Sequence, residues 1–180
     1  AFLAFCIVPI GGNFSGDENG VVSIFGHDTF LQVADPPVGI LLFLALSSIA
    51  VYGVMLAGWS SGSKYPLLGS VRATAQMVSY EAALGLSVAT VVLLTGSLST
   101  NAIVDAQAAT TSFLGFEVPS WNLWTAGVVP FVVFVLAGTA ELNRPPFDLV
   151  EAEQEIVGGF HTEYSSIRFA LFFLAEFMNV

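Results

Sequence analysis

Residues 140–164 read AELNRPPFDLVEAEQEIVGGFHTEY and carry Glu141, Asp148, Glu151, Glu153, Glu155 and Glu163 against one basic group, Arg144. Carboxyls exchange protons, and like charges crowded together resist full ionisation where water is scarce. Two further acids lie inside apolar runs, Glu81 in RATAQMVSYEAALGLS and Glu176 in FALFFLAEF. In a helix, Glu81 stands about 14 Å from Arg72, near the middle of a hydrocarbon core about 30 Å thick. The same spacing turns the two side chains to opposite sides, so Arg72 cannot neutralise Glu81 from within that helix. A carboxyl so placed takes a partner from another helix, faces water or stays protonated. Its expected chemistry is proton transfer. The bland alternative is a neutral Glu hydrogen-bonded to a neighbouring helix. Thr74 and Gly85 share the Glu81 face, which suits close helix packing or a small wet cavity.

The elements that must hold these acids are membrane spans. The chain has 180 residues, of which 55% are hydrophobic and 10% charged, where soluble domains carry roughly a quarter charged. Mean hydropathy is +0.80. Apolar runs are predicted to span at about 38–59, 71–95, 121–140 and 167–180, after a partial span over 1–10. Asp35-Pro36-Pro37 reads as a helix start, with Asp as cap and Pro in the first turn. GWSSGSKYPLLGS reads as a turn and 97–120 as a linker, and Trp121 and Trp124 take interfacial positions at the start of the fourth run. Both ends read as cuts through apolar segments, so the expectation is a piece of a longer membrane protein, organised as a single membrane domain over 1–180.

All four basic residues, Lys64, Arg72, Arg144 and Arg168, lie in or beside the second and fourth loops. By the positive-inside rule, loops 60–70 and 141–166 are cytoplasmic. Glu81, Glu141 and Glu176 then place an acid at or beneath the cytoplasmic boundary in three helices, a pattern expected of a proton conduit. In the acidic loop, Asp148 with Glu151 has capping-box spacing, predicting a short helix that Gly158-Gly159 ends. Asp148, Glu151 and Glu155 would share one face of it. The predicted fold is an all-α membrane protein, a bundle of transmembrane helices with a long acidic cytoplasmic loop containing a short helix.

Composition also excludes. A formal charge of -10 argues against nucleic acid. Cys6 alone cannot form an intrachain disulfide or a four-thiolate cluster, and His27 and His161 lack metal-site spacing. No phosphate loop, dinucleotide Gly pattern or HExxH occurs, so no metal site and no redox role of the chain's own is expected.

From about Pro37 onward the chain resembles the membrane component of respiratory complex I that forms the quinone chamber, a family found in bacteria and in mitochondria. The resemblance rests on AELNRPPFDLVEAEQEIVGGFHTEY, FALFFLAEF and SGSKYPLLGSVRATAQMVSYE. Leu142, Val150 and Phe177 depart from the family pattern without removing a charge. The resemblance implies the quinone-chamber subunit of a proton-pumping NADH:quinone oxidoreductase of the translocase class, itself without a redox group. Glu81, Glu141, Glu163 and Glu176 would be its proton relay. Arg144, Asp148, Glu151, Glu153 and Glu155 would form the acidic loop of the chamber, and Arg72 would be a supporting base.

The resemblance further implies quinone as substrate, with flavin and iron–sulfur clusters only in partner subunits of the membrane and hydrophilic arms. It implies a multi-pass place in the cell inner membrane. The alternatives are a homologous subunit of a membrane-bound hydrogenase or of a quinone oxidoreductase fed by another donor. A stand-alone cation or proton transporter would instead carry inverted repeats and broken spans, which the sequence does not display.

Overall fold

The computed structural model describes residues 2–12, 20–113, 116–147 and 159–179. The acids Asp148, Glu151, Glu153 and Glu155, with the short helix expected on them, lie outside the described residues. The chain is mostly helical and forms two compact units, Leu46–Leu86 with Val133–Val180 and Phe2–Ala45 with Ser87–Val132.

Among the described residues two helices have the length and apolarity of membrane spans: α2 (Gly39–Ser60) and α3 (Lys64–Thr95). Of their most apolar stretches only 11% and 17% is buried inside the protein, so the apolar side chains face outward as lipid requires. The turn between them is confined to residues 61–63, and α3 begins at Lys64, earlier than the expected start at Val71. Pro66 explains this, because proline is tolerated in a first helical turn. Where the two helices meet, Gly58 lies against Ser70 and Pro66, and a Cβ on Gly58 would come 2.7 Å from the Pro66 carbonyl oxygen. Ser70 and Pro66 are fully buried there. Small residues let backbones approach, and here they set the hairpin.

The fourth apolar run is not one helix from Trp121. It is divided into a short turn (α5, Asn122–Thr125) and α6 (Val128–Glu141), separated at Gly127 with φ 91. That angle lies in the left-handed region, which ends α5, and Pro130 then fits the first turn of α6. The last helix, α7 (Ile167–Asn179), follows a 3-10 turn at Gly159–His161.

The unit of Phe2–Ala45 with Ser87–Val132 holds structure the apolar pattern did not announce. After α1 (Phe2–Phe5), strands β1 (Val21–Ile24) and β2 (His27–Phe30) pair antiparallel, with Val21 opposite Phe30 and Ile24 opposite His27. The linker contains α4 (Thr100–Ala108) and a second hairpin, β3 (Thr110–Phe113) with β4 (Phe116–Pro119). Asp35 does not cap α2, which starts at Gly39. Instead its carboxylate accepts from Ser99 Oγ at 2.8 and 3.0 Å, and that same Oγ accepts from Ala102 N–H to cap α4. Pro36 and Pro37 push the helix start beyond the reach of the Asp35 side chain. Gln32 Nε2 donates to the Ile7 carbonyl at 2.8 Å and to Thr100 Oγ1 at 2.9 Å, tying α1, the first hairpin and α4 together.

Candidate functional site

The unit of Leu46–Leu86 with Val133–Val180 holds the predicted acids that are described, Glu81, Glu141, Glu163 and Glu176. Its starting point is the end of α6. Asn143 takes a left-handed conformation (φ 52), Arg144 N–H bonds to the Thr139 carbonyl at 3.3 Å and Asn143 N–H to the Ala140 carbonyl at 3.2 Å. These two bonds satisfy the last carbonyls of the helix, the Schellman arrangement, and the prolines that follow prevent its continuation. The sequence ELNRPP therefore fixes where Glu141 and Arg144 leave the helix.

The segment after α6 is clamped to α3. Gln76 is buried (6% exposed), and its amide Nε2 lies 2.8 Å from the Ala140 carbonyl, 2.7 Å from the Phe147 carbonyl and 3.2 Å from Asn143 Oδ1. One turn further along α3, Tyr80 packs edge-on against Phe147 with centroids 5.3 Å apart. Amide and ring sit at i and i+4, on one face of the helix. Together they hold the backbone on both sides of Arg144.

Two of the predicted relay acids, from different helices, meet the same turn of α2. Ser47 Oγ donates to Glu141 Oε1, and the next residue, Ser48, donates to Glu81 Oε1. All four side chains are half-buried. Glu81 thus finds a hydroxyl of another helix, and α3 is continuous from Arg72 to Glu81, which keeps those two on opposite faces. Gly85, on the Glu81 face, borders open space, while Thr74 Oγ1 is buried and no partner for it occurs among the described residues.

The other pair is Arg144 and Glu176. Arg144 Nη1 lies 4.0 Å from Glu176 Oε1, with both side chains about one-third exposed (35% and 29%). The guanidinium also stacks over the Phe177 ring, 4.8 Å from its centroid, a cation–π contact. Glu163 is exposed, beside Tyr164, whose hydroxyl donates to the Ala57 carbonyl at 2.7 Å and lies 2.7 Å from Ser60 Oγ. His161 is buried in an aromatic cage of Phe160, Phe169 and Phe173, so it packs as a core side chain.

Among the described residues the structure therefore brings Glu81 and Glu141 to one turn of α2, and Arg144 to Glu176. It leaves Glu163 at the surface. Sequence reasoning missed Ser47, Ser48, Gln76 and Tyr80. The pair SS interrupts an otherwise apolar span at mid-length, but two hydroxyls there name no partner. The carboxyls with hydroxyl donors can hold either charge state, because a hydroxyl donates to a carboxylate and accepts from a carboxylic acid.

A mostly helical membrane protein with carboxyls shared among its spans is the class that this fold and site define. The sequence profile of the NADH dehydrogenase family matches residues 1–180, and the chain belongs to that family. Among curated proteins, the H-type subunit of the NADH-quinone oxidoreductase of Frankia alni (strain DSM 45986 / CECT 9034 / ACN14a) is 51% identical over 181 residues. The match takes in all of this chain and 36% of that protein, so the chain spans about a third of the length of this relative.

Proposed function

We propose that the chain is part of the quinone-chamber subunit of a proton-pumping NADH:quinone oxidoreductase in the cell inner membrane. In this reading loops 60–70 and 141–166 face the cytoplasm, and α2, α3, α6 and α7 supply the helices of the spans expected at about 38–59, 71–95, 121–140 and 167–180. The chain holds no redox group of its own. Partner proteins of the complex carry the flavin and the iron–sulfur clusters and deliver electrons to quinone. The observation that carries the reading is the meeting of Glu81 and Glu141 on adjacent serines of α2.

A charge created in a poorly hydrated chamber acts strongly on carboxyls nearby, because little water screens it. The acidic loop, with Arg144, Asp148, Glu151, Glu153 and Glu155, is the group that takes up or shifts protons in answer to quinone reduction. Glu163, Glu141, Glu81 and Glu176 relay that response toward neighbouring membrane subunits. Arg72 and Arg144 supply positive charge that offsets part of the negative charge of these eight acids.

The test is charge-neutral replacement. Glu81→Gln and Glu141→Gln should each lower proton pumping coupled to quinone reduction in intact membranes by about tenfold or more, the scale of losing a proton-transfer group. Pumping at the unmodified rate in both variants would overturn the relay.

A further inference from the structure

Two neighbouring serines of one helix reach carboxyls of two others. Ser47 bonds Glu141 of α6 and Ser48 bonds Glu81 of α3. Successive helical residues are offset by about 100° and rise about 1.5 Å, so a single turn of α2 receives an acid on each flank. A serine in an apolar span ordinarily turns its hydroxyl back to a carbonyl of its own helix. Here both hydroxyls also reach carboxyls of neighbouring helices. Glu141 is further immobilised from behind, because Gln76 holds the carbonyl of Ala140 beside it.

The geometry points to Ser47 and Ser48 as the crossing by which a proton passes between Glu141 and Glu81 through α2. This rests on the relay proposed above and names the groups that join two of its members. In one direction, the Glu141 carboxylic O–H breaks as its proton goes to Ser47 Oγ, and the original Ser47 proton leaves to a water molecule. That water gives up one of its own protons to Ser48 Oγ, while the original Ser48 proton forms the new O–H on Glu81. Both hydroxyls and the water end neutral. Glu141 has lost one proton, Glu81 has gained it, and no electrons move. The reverse transfer uses the same bonds.

Threonine and valine separate hydroxyl from volume, since they have nearly the same shape and differ in the O–H. Ser47 and Ser48 are each replaced by Thr and by Val, and pumping is measured in membranes holding the assembled complex, beside Glu81→Gln and Glu141→Gln. The expected result is pumping within about twofold of the unmodified complex for Thr and a loss of about tenfold or more for Val. Val variants pumping as well as their Thr counterparts would overturn the proposal. So would equal loss in both, which is the signature of packing. Should Val prevent assembly, Ser→Ala replaces it, with normal pumping overturning the crossing and lost pumping supporting it. If the glutamine variants fail to pump while the hydroxyl-free serine variants pump normally, the crossing is wrong and the relay stands. If the glutamine variants themselves pump normally, the relay is what fails.

Discussion

Single side chains decide how the acids are held, and not all of them announce themselves. Glu81 and Glu176 are conspicuous in the sequence because a charge costs several kcal/mol inside an apolar run and is rarely there without a role. Ser47 and Ser48 are silent for the opposite reason. A hydroxyl in a span is cheap, since it can bond its own backbone, and nothing in the letters tells which way it turns. Gln76 is equally silent, although it does the most to position the end of α6. Replacing Gln76 with Leu strips the part-buried Phe147 carbonyl of the Gln76 donor and leaves the Ala140 carbonyl with Asn143 N–H, a loss costing about 1–3 kcal/mol. The expected outcome is a clearly lowered melting temperature of the detergent-solubilised complex, and a Gln76→Leu variant melting with the unmodified protein would contradict the clamp. Arg144 carries less structural weight, because its pairing with Glu176 is partly solvated and such pairs contribute about 0–1 kcal/mol.

At the scale of elements, long apolar runs were legible and their interruptions were not. α2 and α3 follow from length and hydropathy. The division of the fourth run at Gly127 did not, because one glycine among valines reads as tolerable until its φ is known. The first hairpin turns through Phe25 and Gly26 at φ 53 and 82, the angles of a two-residue primed turn that Asn-Gly usually fills. With Phe in the first place the sequence carries no such signal. Ser99 caps α4 inside a stretch that reads as a linker, and its second bond, to Asp35, joins residues far apart in the chain. The α2–α3 hairpin offers a test of its own. A methyl at Gly58 collides with Ser70 and with the Pro66 carbonyl, both in helical or fully buried surroundings that cannot retreat. Gly58→Ala should therefore destabilise by about 1–3 kcal/mol, seen as loss of assembled protein on mild heating. Unchanged heat resistance would show that the helices can separate without penalty.

For the molecule as a whole, the strongest sequence signals were the scarcity of charge and the bias of the few bases. Membership of the NADH dehydrogenase family agrees with the motif carried by residues 140–164. The orientation drawn from Lys64, Arg72, Arg144 and Arg168 remains a proposal with a direct check. With Cys6 replaced by Ser, a cysteine introduced at Ser63 should react with a membrane-impermeant maleimide in inside-out vesicles and stay unreacted in right-side-out ones. The opposite pattern would reverse the assignment. The length of α3 has its own consequence. At about 1.5 Å per residue its 32 residues make a rod of about 48 Å, against a hydrocarbon layer of about 30 Å. The surplus is taken up by leaning or by overhang, and the overhang has an obvious owner in the turns that bear Lys64 and Arg72. In the proposed orientation those turns stand at headgroup level, so bilayer thickness and anionic lipid would bear directly on the end of the rod nearest Gln76.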